Sequence, residues 1–276
     1  MRRSVPQHIA MNFFTAGSTF KTFKTLATHL LGSSCALCGK HHAGLLCSGC
    51  RTRYTANSVA RCRRCAIVLH AAHPDCGACT AHPPSFDASF AVTDYAAPTD
   101  ALVQALKFGA QLPLAAAFAD LLMNVVPSEA VASASLIMAV PLSTERMAER
   151  GFNQAHEIAK PLARQWRLPL ATELCVRVRN TEPQSSLPLA QRRGNMRGAF
   201  TLMRRDRVVG QHIVLVDDVM TTGETLEALA ATLKRNGAAR ITNLVFARTP
   251  ARKRPWRLLC FMWYWSNLKF RPTPAT

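Results

Sequence analysis

The sequence predicts an α/β domain, in which a mostly parallel sheet is flanked by helices, behind a small cysteine-rich module. Two observations carry this prediction. Buried-strand patterns alternate with helical patterns between residues 86 and 248, and eight of the ten cysteines lie between residues 35 and 79. Alternation of strands and helices is typical of a parallel sheet, because each helix returns the chain to the edge at which the next parallel strand begins.

The elements of the α/β domain follow in chain order. Apolar runs predict strands at 89–95, 136–142, 174–178, 213–216 and 241–246. Helical spacing of apolar residues predicts helices at 99–108, 114–123, 154–167 and from 226 to near 237. Pro83 and Pro84 cannot continue regular structure, so the sequence places the cysteine module at 35–82 and the α/β domain at 86–248.

The cysteines occur as four C-x-x-C pairs: Cys35/Cys38, Cys47/Cys50, Cys62/Cys65 and Cys76/Cys79. Two residues between cysteines allow both thiolates to bind one tetrahedral ion, and two pairs complete a site of four cysteines. We therefore expect two structural Zn²⁺ ions in a double zinc ribbon. A disulfide framework is the alternative, which the lack of a secretory signal peptide disfavours. Sequential and interleaved pairing of the four pairs both stay open.

The chain is strongly basic, with a formal net charge of +18 and a pI near 10.3. Half of this charge falls in residues 1–81, which contain ten Lys and Arg residues and a single acid, Asp75. Such a surface favours a polyanionic partner, and single-stranded DNA is the candidate. Because Tyr54 is the only aromatic residue between Cys35 and Cys79, we expect any DNA binding to be electrostatic and sensitive to salt.

A strand, a hydroxyl-rich turn and a helix follow one another at 213–233. Asp217 and Asp218 come at the predicted end of the strand, and the turn supplies Thr221, Thr222, Gly223, Glu224 and Thr225. The first amides of the helix and its dipole favour an anion, and glycine lets the backbone approach a phosphate closely. The acid pair suits a diol or a metal ion. The segment therefore predicts a ribose 5-phosphate site.

A second loop follows the strand predicted at 136–142. Ligands of open α/β sheets bind at the carboxyl ends of the strands, so we expect this loop beside the turn just described. Arg146 and Arg150 are then placed to bind a second anionic group.

The strand–turn–helix segment resembles the signature of the type I phosphoribosyltransferases, whose fold is Rossmann-like. Three further segments, together with the double zinc ribbon, resemble the ComF family over about residues 35–248. These segments are R-G-F-N-Q at 150–154, Arg177/Arg179/Thr181/Gln184, and Asn195/Gly198/Ala199/Phe200. The chain departs from the family pattern in the loop after Leu142, which contains less arginine.

The resemblance implies phosphoribosyl pyrophosphate as the ligand, with Mg²⁺ bridging its pyrophosphate and ribose oxygens. It implies that Asp217 and Asp218 are catalytic residues that hold the ribose hydroxyls, and that the turn holds the 5-phosphate. Arg146 and Arg150 would hold the pyrophosphate, and the acceptor would be a nitrogen base. Similar enzymes that use 6-oxopurines carry an aspartate where this chain has Thr221, so we expect hypoxanthine and guanine to be poor substrates.

The same resemblance implies a role in DNA uptake and competence, or in the use of imported DNA. DNA-uptake helicase or channel proteins are then expected partners. The alternative is a non-catalytic accessory protein or a phosphoribosyl pyrophosphate sensor, with a zinc ribbon that binds nucleic acid. A zinc-ribbon transcription factor would leave the turn after Asp217 and Asp218 unexplained.

Both ends of the sequence differ from the rest. Residues 1–34 have the spacing of an amphipathic helix, and a disordered leader is the alternative. Residues 249–276 form a basic and apolar tail. Packing on the domain, anchoring at a membrane interface and exposure as a sticky tail are the alternatives for it. Neither segment is long and apolar enough to span a bilayer. We expect a cytoplasmic protein, with a peripheral position at the inner face of the membrane as a variant of this prediction.

Overall fold

The computed structural model describes residues 34–55, 59–70, 73–178 and 198–251. Its strands are β1 (Ala88–Asp94), β2 (Leu136–Ala139), β3 (Cys175–Arg177), β4 (Phe200–Leu202), β5 (His212–Met220) and β6 (Arg240–Arg248). Four of them form a parallel sheet in the order β1-β6-β5-β2, and β3 pairs with β4 in a separate antiparallel ribbon. The predicted parallel sheet is confirmed.

The helices of the described residues are α1 (Ser48–Thr55), α2 (Gly77–Ala81), α3 (Thr99–Phe108), α4 (Pro113–Val125), α5 (Ser128–Val131), α6 (Thr144–Arg150), α7 (Gln154–Trp166) and α8 (Glu224–Arg235). The four helices expected from apolar spacing correspond to α3, α4, α7 and α8. The other four are absent from the predictions, because they span about two turns or fewer, too little for an apolar period to show.

β5 is longer than its apolar run predicts. It pairs with β6 along its whole length, and Val219 and Met220 still face Ala247 and Arg248. The prediction that the strand ends at Asp217 and Asp218 is therefore wrong, since both acids lie inside β5. The strand continues because ladder hydrogen bonds join backbone groups and do not depend on apolar side chains.

Separate apolar cores cover the two faces of the sheet. α4 and α7 pack on one face, where the rings of Phe118 and Phe246 stack with their centroids 3.5 Å apart. α8 packs on the other face through its predicted apolar stripe of Leu226, Leu229, Ala230 and Leu233. Because both faces are covered, as parallel sheets require, the strand ends are the part of the sheet left to bind a ligand.

The cysteine module lies along the outer edge of β1. The amide of Ser89 donates to the carbonyl of Arg63 at 2.9 Å. Arg61 Nη1 lies 2.8 Å from a carboxylate oxygen of Asp94. These contacts join the module to a strand that has β6 on its other side.

The module also enters both cores. Cys35, Leu46 and Cys50 join the core that contains α4, and Ala66 joins the core that contains α8. The cysteine module and the sheet therefore share apolar interiors. The limits 35–82 and 86–248 for the two modules stay predictions.

The opposite edge of the sheet is also covered. The amide of Ile137 in β2 donates to the carbonyl of Pro169 at 3.0 Å, and the amide of Ala171 donates to the carbonyl of Ile137 at 2.8 Å. Residues 169–171 thus occupy the outer side of β2, which leaves few of its backbone groups unpaired.

None of the helices in the described ranges is long and apolar enough to cross a membrane. Residues 1–33 and 252–276, which hold most of the predicted leader and tail, lie outside those ranges, as do Arg179, Thr181, Gln184 and Asn195.

Candidate ligand site and metal centres

The eight paired cysteines form two clusters of four. Cys35, Cys38, Cys47 and Cys50 form cluster 1, and Cys62, Cys65, Cys76 and Cys79 form cluster 2; within each, all sulfur atoms lie within 4.8 Å of one another. The pairing is therefore sequential and not interleaved. The cysteines are free thiols, with no disulfide among them.

The spacing of the sulfur atoms fits a tetrahedral ion. The Sγ atoms of Cys38 and Cys47 lie 3.7 Å apart, as do those of Cys65 and Cys76. Zn²⁺ binds thiolates at about 2.3 Å, which places the sulfurs of a tetrahedral site about 3.8 Å apart. Each cluster can thus hold one zinc ion, as the C-x-x-C spacing predicts.

Backbone amides in the two clusters point at the sulfur atoms. The amide of Cys47 donates to Cys35 Sγ at 3.4 Å, and the amide of Cys76 donates to Cys62 Sγ at 3.3 Å. Hydrogen bonds of this kind favour the thiolate, which is the form that binds metal. The repeated arrangement indicates that the two clusters are built in the same way.

The turn at 221–225 joins β5 to α8 and is called the phosphate turn below, after the ligand that the sequence predicts for it. Gly223 has φ of +88° and precedes the first helical residue, Glu224. A Cβ atom at Gly223 would lie 2.7 Å from Cε of Met220, so glycine fits the turn in both conformation and space. Thr222 Oγ1 accepts a hydrogen bond from the amide of Glu224 at 3.4 Å.

One small cavity connects the phosphate turn with the first acid of the pair. It is lined by Asp217, Val219, Met220, Thr221, Gly223, Thr225 and Leu226. It lies at the carboxyl end of β5, where an open α/β sheet binds its ligands. The structure therefore brings Asp217 together with three of the five turn residues singled out from the sequence, while Thr222 and Glu224 are not part of the cavity wall.

The two acids differ in their partners. Asp218 is buried, and one of its carboxylate oxygens lies 3.1 Å from Nζ of Lys107 at the end of α3. Asp217 Oδ1 accepts a hydrogen bond from the amide of Asp218 at 2.9 Å. Neighbouring side chains of a strand point to opposite faces, so Asp217 lines the cavity while Asp218 turns towards Lys107.

The environment of the pair changes the protonation of Asp217. Desolvation, followed by the charge of Asp218, raises the pKa of Asp217 to about 7, against the opposing effect of Lys107. A carboxyl group with this pKa exchanges its proton near neutral pH and can accept hydrogen bonds from a diol once it is ionised.

The arginines that the sequence places near the site have different surroundings. Arg146, in α6, is close enough to Arg177 to affect its ionisation, and Arg177 in turn interacts with Asp217. Burial, followed by the charge of Arg146, lowers the pKa of Arg177. Arg150 Nη1 donates to Gln154 Oε1 at 3.1 Å, and its guanidinium lies 5.4 Å from the ring centroid of Phe108.

Arg146 and Arg150, the two predicted pyrophosphate ligands, differ in the groups that surround them. Arg146 interacts electrostatically with Arg177, and Arg177 interacts in the same way with Asp217. Arg150 is held at the end of α6 by Phe108 and Gln154. Arg146 therefore acts electrostatically on a cation that senses Asp217, whereas Arg150 packs on Phe108, the neighbour of Lys107.

Comparisons with known proteins agree with this architecture. The phosphoribosyl transferase domain family matches residues 150–271. The DNA utilization protein YhgH of Salmonella typhimurium is 38% identical over 210 residues, which cover 74% of this chain and 90% of that protein. Competence protein F of Haemophilus influenzae is 31% identical over 201 residues, which cover 71% and 87%.

The chain belongs to the ComF family. Competence protein ComFC of Bacillus subtilis is 35% identical over a shorter stretch of 115 residues, 41% of this chain and 45% of that protein. A solved structure of the hypoxanthine phosphoribosyl transferase of Trypanosoma cruzi covers 50% of this chain and 72% of its own, at 14% identity and a TM-score of 0.31.

One residue of the ComF-like motif at 150–154 has a clear structural role. Asn153 Oδ1 accepts hydrogen bonds from the amides of Ala155 and His156 at the start of α7. Its Nδ2 donates to the carbonyl of Val140, just after β2, at 3.0 Å. Asn153 therefore caps α7 and fixes the loop of this ComF-family chain to the end of β2.

Lys107 is not among the residues predicted from the sequence, although its ammonium group lies 3.1 Å from a carboxylate oxygen of Asp218. Its only sequence signal is that of a cation in the last turn of a helix, which many helices share. The contact with Asp218 becomes visible only when α3 is packed against the carboxyl end of β5.

Proposed function

We propose that the chain binds phosphoribosyl pyrophosphate with Mg²⁺ and transfers the phosphoribosyl group to a nitrogen acceptor. The observation that carries this proposal is the cavity in which Asp217 meets the phosphate turn at the carboxyl end of a parallel sheet. The family match to phosphoribosyl transferase domains supports it. The names of the DNA utilization and competence relatives add a setting in DNA uptake or in the use of imported DNA.

Each group has a role in this proposal. Asp217, which lines the cavity, accepts hydrogen bonds from the ribose hydroxyls, and Asp218 supports it through the hydrogen bond from its amide to Asp217 Oδ1. The amides and hydroxyls of the phosphate turn bind the 5-phosphate. Arg146 and Arg150 bind the pyrophosphate, and Arg177 adds positive charge beside Asp217. This arrangement stabilises the charge that develops as pyrophosphate leaves the ribose.

The oxygen atoms at this site also fit Mg²⁺. Carboxylate and hydroxyl oxygens are its preferred ligands, and it is usually held by one or two carboxylates together with phosphates of the substrate. Asp217 is the carboxylate of the acid pair that lines the cavity. When bound, the ion supplies positive charge that stabilises the leaving pyrophosphate.

Calorimetric titration with phosphoribosyl pyrophosphate and Mg²⁺ tests the proposal. We expect binding by the wild-type chain and its loss in the double variant Asp217→Asn/Asp218→Asn. Asp120→Asn, on the exposed side of α4, is the matched control and should bind normally. The proposal fails if the folded, zinc-loaded wild-type chain does not bind. If it binds, release of pyrophosphate in a screen of nitrogen bases separates a transferase from a sensor.

A second function, binding of single-stranded DNA by the cysteine module, is favoured by a separate observation. Lys40, Arg51, Arg53 and Arg63 are all exposed on this module. Exposed cations contact phosphates without reading bases, so this binding would weaken steeply as salt rises. It could operate with or without turnover at the phosphoribosyl site.

Because the cysteine module belongs to both cores, deleting it would damage the sheet. The better test is the full-length variant Arg51→Glu/Arg53→Glu, compared with Arg164→Glu/Arg235→Glu on the α/β domain. We expect only the first variant to lose affinity for a single-stranded oligonucleotide and to show a shallower salt dependence. An equal loss in both would contradict a site on the module. A cytoplasmic location, peripheral at the inner face of the membrane, and contacts with DNA-uptake helicase or channel proteins belong to this part of the proposal.

A further inference from the structure

Arg248, the last residue of β6, lies between cluster 2 and the phosphate turn. Its Nε donates to the carbonyl of Cys65 at 2.8 Å, and its Nη1 donates to the carbonyl of Met220 at 3.0 Å. Nη1 also donates to the carbonyls of Thr221 and Thr249. One side chain therefore joins a metal-binding loop, the start of the phosphate turn and the end of the sheet.

The side chain is buried, and carbonyl groups are its partners. Arg248 is 6% exposed, and within the described ranges no carboxylate lies within 4.0 Å of its guanidinium. A buried cation is costly unless its donors are hydrogen-bonded, and removal of acceptors leaves an uncompensated charge. The carbonyls of Cys65 and Met220 are consequently held in place by the same group, so movement of one loop disturbs the other.

Charge adds a second connection. A Zn²⁺ ion with four thiolates has a net charge of minus two, and a phosphate bound at the turn is also anionic. Arg248 contacts backbone of both segments and carries the positive charge between them. Among the described residues, no side chain donates hydrogen bonds both to a loop of cluster 1 and to the phosphate turn, and Cys35 and Cys50 of cluster 1 join the core that contains α4.

We propose that Arg248 is a positioning residue through which the metal at cluster 2, and not the metal at cluster 1, sets the conformation of the phosphate turn. The effect on ligand affinity rests on the proposed function, whereas the coupling between metal and turn does not. Coupling of this kind is reciprocal, so a ligand at the turn should also retain the metal of cluster 2.

The first test is hydrogen exchange of the ligand-free, full-length protein. Cys76→Ser disrupts cluster 2, and Cys47→Ser is its matched control in cluster 1, because both cysteines are partly buried and occupy equivalent positions. We expect exchange in 217–226 to become at least about tenfold faster in Cys76→Ser and to change less than about twofold in Cys47→Ser. Equal responses to the two variants, or no response to either, would overturn the proposal.

The second test uses Arg248→Lys, which retains the charge but cannot bond to Cys65 and Met220 together. Because Arg248→Lys leaves the cysteines of both clusters in place, it also tests the proposal if Cys76→Ser does not fold. With a chromophoric chelator, we expect one of the two zinc ions to leave faster from Arg248→Lys than from the wild type, and the other to leave at an unchanged rate. Wild-type kinetics for both ions would refute the link.

The third measurement separates positioning from a general loss of stability. In the wild type, phosphoribosyl pyrophosphate with Mg²⁺ should slow the release of zinc from cluster 2 and not from cluster 1, and Arg248→Lys should abolish this effect. Retained slowing in Arg248→Lys would count against the proposal. If the wild type binds no ligand, the proposed function fails, while hydrogen exchange of the ligand-free protein still decides the coupling.

Discussion

The ammonium group of Lys107 lies 3.1 Å from a carboxylate oxygen of Asp218, which is two residues before the end of β5. The pair joins the last turn of α3 to the acid pair that we assign to ribose binding. Both side chains are largely shielded, with exposed fractions of 20% for Lys107 and 8% for Asp218. Lys107 thereby places a positive charge beside the Asp218 carboxylate in a position with little access to water.

Lys107→Met should destabilise the fold. Removing one partner of a shielded pair leaves an uncompensated charge, at a cost of about 3 kcal/mol in the free energy of unfolding. Denaturation in urea measures this cost. The double variant Lys107→Met/Asp218→Asn should be more stable than the single variant, because it removes both charges. Lys160→Met, which breaks an exposed pair with Glu157, is the control and should cost less than about 1 kcal/mol.

The contribution of Asp217 to stability should fall as pH rises from about 4 to 7. Asp217 has a folded pKa of about 7, above its ordinary value of 3.8. In this window the folded chain holds a proton that the unfolded chain has released, so rising pH favours unfolding. Thermal melting across the window should show a flatter profile for Asp217→Asn. A variant profile as steep as that of the wild type would assign the dependence to another group.

Gly223→Ala should weaken ligand binding and lower stability. A side chain at φ of +88° costs about 1–2 kcal/mol, and the new methyl group must displace Cε of Met220. Titration calorimetry and urea denaturation measure the two effects. Gly49→Ala, in α1 with no atom within 4 Å of the added carbon, should be neutral or slightly stabilising. Normal affinity in Gly223→Ala would argue against phosphate binding at the turn.

Purified protein should contain two zinc ions per chain. Metal analysis by mass spectrometry checks the number. Chelation should lower the melting temperature, because Cys35 and Cys50 are part of the core under α4. Cys175→Ala, which changes a buried cysteine outside both clusters, should leave the zinc content at two. A folded chain with one zinc ion would contradict the assignment of two equivalent centres.

Hypoxanthine and guanine should give little or no nucleotide. Thr221 lines the cavity at the position where similar enzymes of 6-oxopurines carry an aspartate, and a threonine hydroxyl cannot act as a general base near neutral pH. Chromatography of reactions with each base measures the product. Efficient conversion of either base by the wild type, absent from Asp217→Asn/Asp218→Asn, would refute this prediction.

The local patterns of the sequence are enough to predict much of the fold. The apolar stripe of α8 and the apolar runs of β5 and β6 are periodic over their own lengths, so they can be recognised without knowledge of neighbours. The C-x-x-C pairs similarly predict clusters that can hold zinc. Pairing between strands lies outside such patterns, which is why β5 extends beyond the apolar run that predicts it.

Other features of the site depend on contacts between residues far apart in the sequence. Lys107 meets Asp218 because α3 ends beside β5, and Arg248 meets Cys65 across 183 positions. Neither residue belongs to a motif with a known spacing. Such pairs are set by the packing of elements, whereas the phosphate turn is set by the residues of the turn itself.

The cover on both edges of the sheet has a consequence for how the molecule meets other proteins. Backbone of the cysteine module bonds to β1, and residues 169–171 bond to β2. Edges occupied in this way offer less template for strand addition, either by a binding partner or by a second copy that has begun to aggregate. Recognition by other proteins is therefore expected to use side chains on loops and helices, so that substitutions on these surfaces can change partners without disturbing the sheet.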